Sequence, residues 1–194
     1  MMGRTILCFG DSNTYGYDPR SFLGDRYPKE DRWTDLLADT AEWMVINEGQ
    51  NGREIPLNVY QCGALLSHLR QTNPDLLVVM LGSNDLFLYG DNTAEDVAQR
   101  MDLFLEMLPP LPTLLIAPVP LKTGAWITDP QPLLQSTQIA DAYRSVAEHR
   151  GIFFADAGQW NIPLAYDGVH FTAEGHHHFA QQLHRLLLEI FQTY

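Results

Sequence analysis

The stretch TILCFGDSN, residues 5–13, decides the fold class of this chain. Residues 5–9 form a short apolar run, which is typical of a buried β-strand, and Gly10 ends it. Polar residues follow at once. The stretch therefore predicts a strand that carries Asp11 and Ser12 just beyond its C-terminal end.

The same alternation continues along the rest of the chain. Further strands are predicted at residues 44–47, 76–81, 113–117 and 152–156. Helices are predicted at residues 33–39, 59–70, 94–107 and 135–149, and a C-terminal helix opens at Thr172. Thr93 is the expected N-cap of the helix at residues 94–107. Strands that alternate with helices indicate βαβ units. We therefore expect a parallel sheet of about five strands covered by helices on both faces, an α/β fold.

Length and composition limit the classes of protein. A chain of 194 residues fits one domain, so residues 1–194 are predicted to form a single unit. Twelve basic against 24 acidic residues give a net charge of -12, which argues against nucleic acid as a partner. No apolar stretch has the length of a signal-peptide core or a membrane span, so we expect a cytoplasmic protein with no membrane partner.

The two cysteines give no sign of a disulfide framework or a metal site. Cys8 lies in the first predicted strand and Cys62 in a predicted helix, so both are expected to be packing residues.

Three polar segments that contain glycine follow three of the predicted strands. They are residues 10–13, 47–52 and 82–85. Right-handed crossovers place the C-terminal ends of parallel strands at one edge of the sheet, where ligands bind in such folds. We expect these segments to meet there.

Ser12 is a candidate nucleophile. A serine hydroxyl needs an exposed position and a base that removes its proton, and a tight turn made possible by Gly10 would expose it. A helix cap formed by Asp11 or Ser12 explains the local sequence equally well.

The candidate base lies in residues 166–172, YDGVHFT. Asp167 stands three residues before His170, so its carboxylate can accept from Nδ1 of the ring and leave Nε2 free for the serine proton. An isolated Asp-x-x-His pattern is weak evidence. Its position before the C-terminal helix, and the chain order Ser, Asp, His, strengthen it.

Acyl transfer also needs donors aimed at an oxyanion. The candidates are the backbone N–H of Gly52, the side-chain amide of Asn84 and the backbone N–H of Ser12. Residues 82–85 alone are also typical of a simple turn.

Taken together, residues 9–12 (FGDS), 47–52 (NEGQNG), 82–85 (GSND) and 167–170 (DGVH) resemble the four ordered blocks of the SGNH hydrolases, also called the GDSL family. The blocks span nearly the whole chain. Each is short, but their combination in this order is highly specific.

The resemblance implies a flavodoxin-like three-layer α/β/α sandwich and a serine esterase that forms an acyl-serine intermediate. It implies that Ser12 is the nucleophile, His170 the base and Asp167 its orienting acid. Ser12, Gly52 and Asn84 would form the oxyanion hole, with Asp11 supporting. It implies no metal and no organic cofactor.

Residues 6–16 and 77–86 look most like the small bacterial arylesterase and acyltransferase branch of that family. The branch favours self-association as a homo-oligomer and a small-molecule ester as substrate. This chain departs from the branch in three places: the segment between Gly52 and strand three is shorter, so is the proline-rich connection before strand four, and Glu54 stands where a small hydroxyl residue is usual. These differences leave the oligomeric state and acyltransferase behaviour open. The alternatives are a carbohydrate acetylesterase or a thioesterase or acyltransferase on the same centre, and, more distantly, a non-catalytic flavodoxin-like binding module.

Other conspicuous residues carry less weight. Tyr15 and Trp126 are candidate lining residues of the substrate pocket, with Tyr17 and Trp33 as further aromatic candidates. Residues 176–178, three consecutive histidines, are expected on a partly exposed helix face, because adjacent helical residues point about 100° apart and cannot converge on a metal. A Mg²⁺ site of Asp11, Asp85 and Glu48 is a minor alternative.

Overall fold

The computed structural model of the chain describes residues 3–21, 23–41, 43–87 and 91–193. A parallel sheet forms its centre. The strands are β1 (Thr5–Gly10), β2 (Met44–Gly49), β3 (Leu76–Met80), β4 (Thr113–Ala117) and β5 (Phe153–Asp156). They lie in the order β2-β1-β3-β4-β5, and each neighbouring pair is parallel. The predicted parallel sheet of about five strands is confirmed.

Helices follow the strands in the chain. They are α1 (Ser12–Tyr15), α2 (Trp33–Ala41), α3 (Gly63–Thr72), α4 (Ser83–Phe87), α5 (Ala94–Glu106), α6 (Pro130–Arg150) and α7 (Ala173–Thr193). Two 3-10 helices cover Lys29–Asp31 and Ala157–Trp160.

The sheet separates two apolar cores, because successive side chains of a strand point to opposite faces. Leu7 and Phe9 of β1 face the core formed with α3, α5 and α6. Ile6 and Cys8 face the core formed with α2 and α7. The chain is therefore a three-layer α/β/α sandwich, as predicted.

Two helix starts differ from the sequence prediction. α3 begins at Gly63 rather than at residue 59, because the Asn58 side chain accepts from the backbone N–H groups of Tyr60 and Gln61 and holds a turn there. Cys62 is consequently the residue before the helix, although it is buried as expected. The short helix α4 was not predicted from the sequence.

α6 begins at Pro130 rather than at residue 135. The Asp129 side chain accepts from Gln131 N at 2.9 Å, which caps the helix. A proline is tolerated in the first turn because its missing N–H has no partner there in any helix. The predicted cap of α5 is confirmed: Thr93 and Asp96 form a reciprocal capping box.

The prediction for the histidine triplet is right for two residues and wrong for the third. His177 and His178 are partly exposed on α7. His176 is fully buried between the rings of Tyr27 and Phe171. It points inward because α7 packs the face that also carries Phe179 against the sheet. Burial lowers the pKa of His176 to about 3, so the ring stays neutral.

Within the four described segments, no helix combines the length and the hydrophobicity needed to cross a bilayer.

A substitution of Phe104 measures how much the packing of α5 against the sheet contributes to the stability of the fold. Its fully buried ring stacks on Phe9 of β1 with ring centroids 5.6 Å apart. Phe104→Ala should lower the free energy of unfolding by about 3–5 kcal/mol, because it removes buried area and leaves a cavity. Urea unfolding followed by circular dichroism measures the difference.

The matched control is Leu103→Ala on the same helix. Leu103 is 55% exposed, so this change should cost less than about 1 kcal/mol. Equal losses for the two variants would contradict the packing described for α5.

Candidate active site

The candidate site lies where the strand order of the sheet reverses. β1 is flanked by β2 on one side and β3 on the other, so the crossovers from β1 and β3 run in opposite directions. Such a switch point opens a crevice beyond the carboxyl ends of the two strands. Ser12 begins α1 directly after β1, and Asn84 lies in the first turn of α4 after β3.

Ser12 is held at the start of a short helix. The Asp11 side chain accepts from Asn13 N at 2.9 Å and caps α1. The cap is therefore Asp11, and it leaves the Ser12 hydroxyl free to face the crevice. Gly10 is required for space: a Cβ there would lie 2.0 Å from Thr14 Oγ1. From the sequence, the conformational freedom of glycine is expected to make this turn possible. The φ of Gly10 is not positive, so the turn does not depend on that freedom.

Ser12, His170 and Asp167 form a continuous chain of hydrogen bonds. Ser12 Oγ lies 2.9 Å from His170 Nε2, and His170 Nδ1 lies 2.7 Å from Asp167 Oδ2. All three residues are buried, with at most 6% exposure. The structure thus brings together the three residues that the sequence predicts as nucleophile, base and orienting acid.

The Asp167 carboxylate is fully engaged in hydrogen bonds. Its Oδ1 accepts from the backbone N–H groups of Val169 and His170 at 2.9 and 3.0 Å, while Oδ2 faces the ring. Burial alone would raise the pKa of Asp167, but the hydrogen bonds from His170 and Val169 outweigh it, and the pKa is lowered. The ionised carboxylate therefore fixes the ring so that Nδ1 carries the proton.

Asn13 links the serine turn to the histidine loop. Its amide donates to Val169 O at 3.2 Å and accepts from Phe171 N at 2.9 Å, so it holds the peptide groups on both sides of His170. Sequence reasoning did not single out Asn13. Its adjacency to Ser12 was the available signal, but the partners lie 156 and 158 positions away.

The three predicted oxyanion donors border the same cavity. Ser12 N is the first N–H of a helix and so has no intrahelical acceptor. Gly52 lies in a turn with φ of +69°, a conformation that favours glycine. Asn84 donates one amide proton to Arg53 O at 2.9 Å, which leaves its second for another acceptor.

The cavity beside Ser12 has a volume of about 260 Å³ and is mainly apolar. Its walls are Ser12, Tyr17, Asn51, Gly52, Asn84, Phe87, Trp126, Val169 and His170. Trp126 lines it as predicted.

Tyr15 does not line the cavity, contrary to the sequence prediction. Its ring packs against the Arg26 guanidinium, whose carbon lies 4.5 Å from the ring centroid. Gly16 ends α1 and the chain turns back, so Tyr17 takes the place expected for Tyr15.

Two aromatic rings flank the imidazole of His170. The Tyr17 ring centroid lies 4.6 Å away, and Trp126 packs edge-to-face at 5.0 Å. Phe87 adds a third ring to the wall and was not predicted. Its position at the end of α4 could not be predicted, because no sequence pattern indicates that short helix.

Two further carboxylates lie beneath the site. Burial raises the pKa of Asp11 to about 6, and the nearby Asp85 charge adds to the effect. Burial also raises the pKa of Asp85, although Ile55 N donates to it and Arg100 lies 3.5 Å away.

The alternative of a Mg²⁺ site at these carboxylates finds no support in the geometry. Glu48 pairs with His68 instead of turning toward Asp11 and Asp85. No cluster of three or more potential metal ligands occurs among residues 3–21, 23–41, 43–87 and 91–193.

Two of the solved structures that this chain resembles are described as esterases. The M. smegmatis aryl esterase is 27% identical, with a TM-score of 0.85 over 96% of this chain and 99% of that one. A carbohydrate acetylesterase from Sinorhizobium meliloti is 26% identical, with a TM-score of 0.82 over 96% of this chain and 99% of that one.

None of the curated proteins matches this chain in a sequence search. The model of the GDSL-like lipase/acylhydrolase family matches residues 8–178. That range contains all four sequence blocks and all three members of the hydrogen-bonded chain. The chain therefore belongs to the GDSL-like lipase/acylhydrolase family and is a carboxylic ester hydrolase of the serine type.

Proposed function

We propose that Ser12, His170 and Asp167 are the catalytic triad of this esterase, and that it hydrolyses small esters through an acyl-serine intermediate. The observation that carries the proposal is the unbroken hydrogen-bonded chain from Ser12 Oγ through His170 to Asp167. Such a chain lets an imidazole take the serine proton while a fixed carboxylate stabilises the imidazolium that forms.

In the first half of the reaction, Ser12 Oγ forms a bond to the ester carbonyl carbon and its proton passes to His170 Nε2. The carbonyl oxygen becomes an oxyanion and accepts from Ser12 N, Gly52 N and the Asn84 amide. Collapse of this intermediate breaks the ester C–O bond, and His170 returns the proton to the leaving alcohol.

The second half regenerates the serine. Water attacks the acyl carbon while His170 Nε2 takes its proton. The bond to Ser12 Oγ then breaks, the proton returns to Ser12, and the carboxylic acid leaves. The order of events needs neither a metal nor an organic cofactor.

The size and lining of the cavity favour small substrates. Its volume of about 260 Å³ lies just below the roughly 300–1,000 Å³ of most ligand pockets. Because His170 delivers a proton to the leaving alcohol, the rings of Tyr17 and Trp126 beside it flank the alcohol side. We propose a short acyl group and an alcohol with a flat face, either an aryl ring or a sugar.

Self-association and a cytoplasmic location stay predictions from the sequence. One observation favours a second copy of the chain as partner. Three large apolar side chains at residues 57–60 are exposed to solvent: Leu57 is 60%, Val59 55% and Tyr60 91% exposed. An apolar segment of this kind is suited to packing against another protein surface.

Removal of the nucleophile tests the triad directly. Ser12→Ala should lower kcat for p-nitrophenyl acetate by about a thousandfold or more, because the acyl-serine can no longer form. It should also abolish labelling by a fluorophosphonate probe. Ser145→Ala, an exposed serine in α6, is the control and should keep wild-type kinetics and labelling. A Ser12→Ala enzyme with near-full esterase activity would rule out the mechanism.

Substrate size tests the pocket. The kcat/KM for p-nitrophenyl esters should be highest for acetate to butyrate and at least about tenfold lower for octanoate, because the longer chain exceeds the cavity. Acetylated xylose and an acyl-CoA in the same panel distinguish a carbohydrate acetylesterase and a thioesterase from an arylesterase. A preference for octanoate would contradict the proposed short acyl site.

The buried Asp11 predicts an unusual pH dependence of stability. Its folded pKa of about 6 exceeds the ordinary value of 3.8, so the folded state binds more protons between about pH 4 and pH 6. The protonated Asp11 side chain therefore contributes to the stability of the fold. This contribution is fully present below about pH 4 and is lost as the pH rises through about 6. Asp11→Asn keeps the cap but cannot ionise. It should therefore unfold with a free energy about 3 kcal/mol higher than wild type at pH 8.

The advantage of Asp11→Asn should shrink toward zero at pH 4, measured by urea unfolding at both values. Asp129→Asn replaces an exposed cap of the same kind and controls for the cap itself. A pH-independent difference between wild type and Asp11→Asn would show that ionisation of Asp11 is not its cause.

A further inference from the structure

Arg53 is a half-buried cation next to the proposed oxyanion donors. The acyl-transfer steps described above do not use it. Its Nη1 donates to Gly10 O at 2.9 Å and to the carbonyl of Glu48, and its Nη2 donates to Gln50 Oε1 at 3.1 Å. The guanidinium carbon lies 4.2 Å from the centroid of the Phe9 ring. One side chain thus connects the carboxyl ends of β1 and β2.

The turn that carries Gly52 includes the backbone of Arg53, and the guanidinium of the same residue donates to the Gln50 side chain at the start of the turn. Arg53 N donates to Gln50 O at 3.2 Å, which closes a four-residue turn with Gly52 in the third position. Gln50 N also donates to Gly10 O at 3.1 Å. Gly10 O therefore accepts both from the turn and from the Arg53 guanidinium, two residues before Ser12.

The backbone of Arg53 fixes the remaining donor. Asn84 Nδ2 donates to Arg53 O at 2.9 Å. A carbonyl oxygen accepts only from the nitrogen end of an amide, so this bond determines which end of the Asn84 side chain is the donor end. The second Nδ2 proton stays available at the cavity wall, which Asn84 borders.

We propose that Arg53 is a positioning residue that sets the relative places of the three oxyanion donors, Ser12 N, Gly52 N and the Asn84 amide. The inference rests on the proposed function, because it assigns a role within that oxyanion site. Arg53 is not part of the cavity wall, so the proposed role needs no contact with the substrate. It acts through Gly10 O toward Ser12, through the 50–53 turn toward Gly52, and through its own carbonyl toward Asn84.

The chemistry of arginine suits this role better than that of lysine. A planar guanidinium presents several donors in a fixed fork, so it can hold three acceptors at defined angles. Burial lowers the pKa of Arg53 while Glu48 and Asp11 raise it, and the group remains charged. A lysine ammonium could reach one or two of these acceptors but would not impose the same geometry.

The test compares Arg53→Met and Arg53→Lys with wild type, using p-nitrophenyl acetate and enzyme counted by the end point of fluorophosphonate labelling. Removal of one oxyanion donor costs about 10²–10³ in kcat, and misplacement should cost less. We expect Arg53→Met to lower kcat by about tenfold to a hundredfold with KM within about twofold. Arg53→Lys should recover part of the loss, and the pH midpoint of kcat should not move.

Arg150→Met is the matched control. Arg150 is a partly buried arginine that pairs with Asp102 between α6 and α5, away from the cavity. Its loss should lower the melting temperature and leave kcat per labelled site unchanged. The inference is overturned if Arg53→Met keeps kcat within about twofold of wild type, or if Arg150→Met loses as much kcat as Arg53→Met.

A double variant tests the coupling itself. Arg53 acts partly through Asn84, so the loss in Arg53→Met/Asn84→Ala should be smaller than the product of the two single losses. A combined loss equal to that product would contradict the coupling. Failure of the proposed function is distinct from these outcomes, because it would leave wild type inactive or Ser12→Ala active.

Discussion

The hydrogen bond between Ser12 Oγ and His170 Nε2 joins two residues that are 158 positions apart in the chain. For this bond to form at 2.9 Å, the loop before α7 must return to the end of the first strand. The parallel sheet makes this return reproducible, because every crossover delivers the chain to the same edge. Asn13 then ties the two segments together on both sides of His170, which limits the freedom of the ring.

Two buried carboxylates of the site have pKa values that are shifted in opposite directions. Asp167 receives hydrogen bonds on both oxygens, and its pKa is lowered despite burial. Asp11 has one backbone donor and a like charge nearby, and burial raises its pKa to about 6. The difference follows from the number of donors, since each hydrogen bond to the charged form offsets part of the cost of desolvation. The carboxylate that is hydrogen-bonded to the His170 ring is the one that the fold keeps ionised.

The side of the site that carries the proposed oxyanion donors is organised by contacts that tie loops to the carboxyl ends of β1 and β2. The turn at residues 50–53, the end of β1 and the start of α4 meet at Arg53, through its guanidinium and its carbonyl. These three segments lie far apart in the sequence, and no single helix or strand contains two of them. A family block such as residues 47–52 therefore marks where a donor lies, while residues outside it decide how that donor is aimed.

Much of the architecture, and the residues of the hydrogen-bonded chain from Ser12 to Asp167, could be predicted from the sequence, because apolar runs, caps and polar strand ends are local patterns. The run at residues 5–9, the cap at Thr93 and the Asp167 to His170 spacing each depend on residues within a few positions. The start of α3, the exchange of Tyr15 for Tyr17 and the burial of His176 could not. Each of these depends on what an element packs against, and only the tertiary structure brings those partners within contact distance.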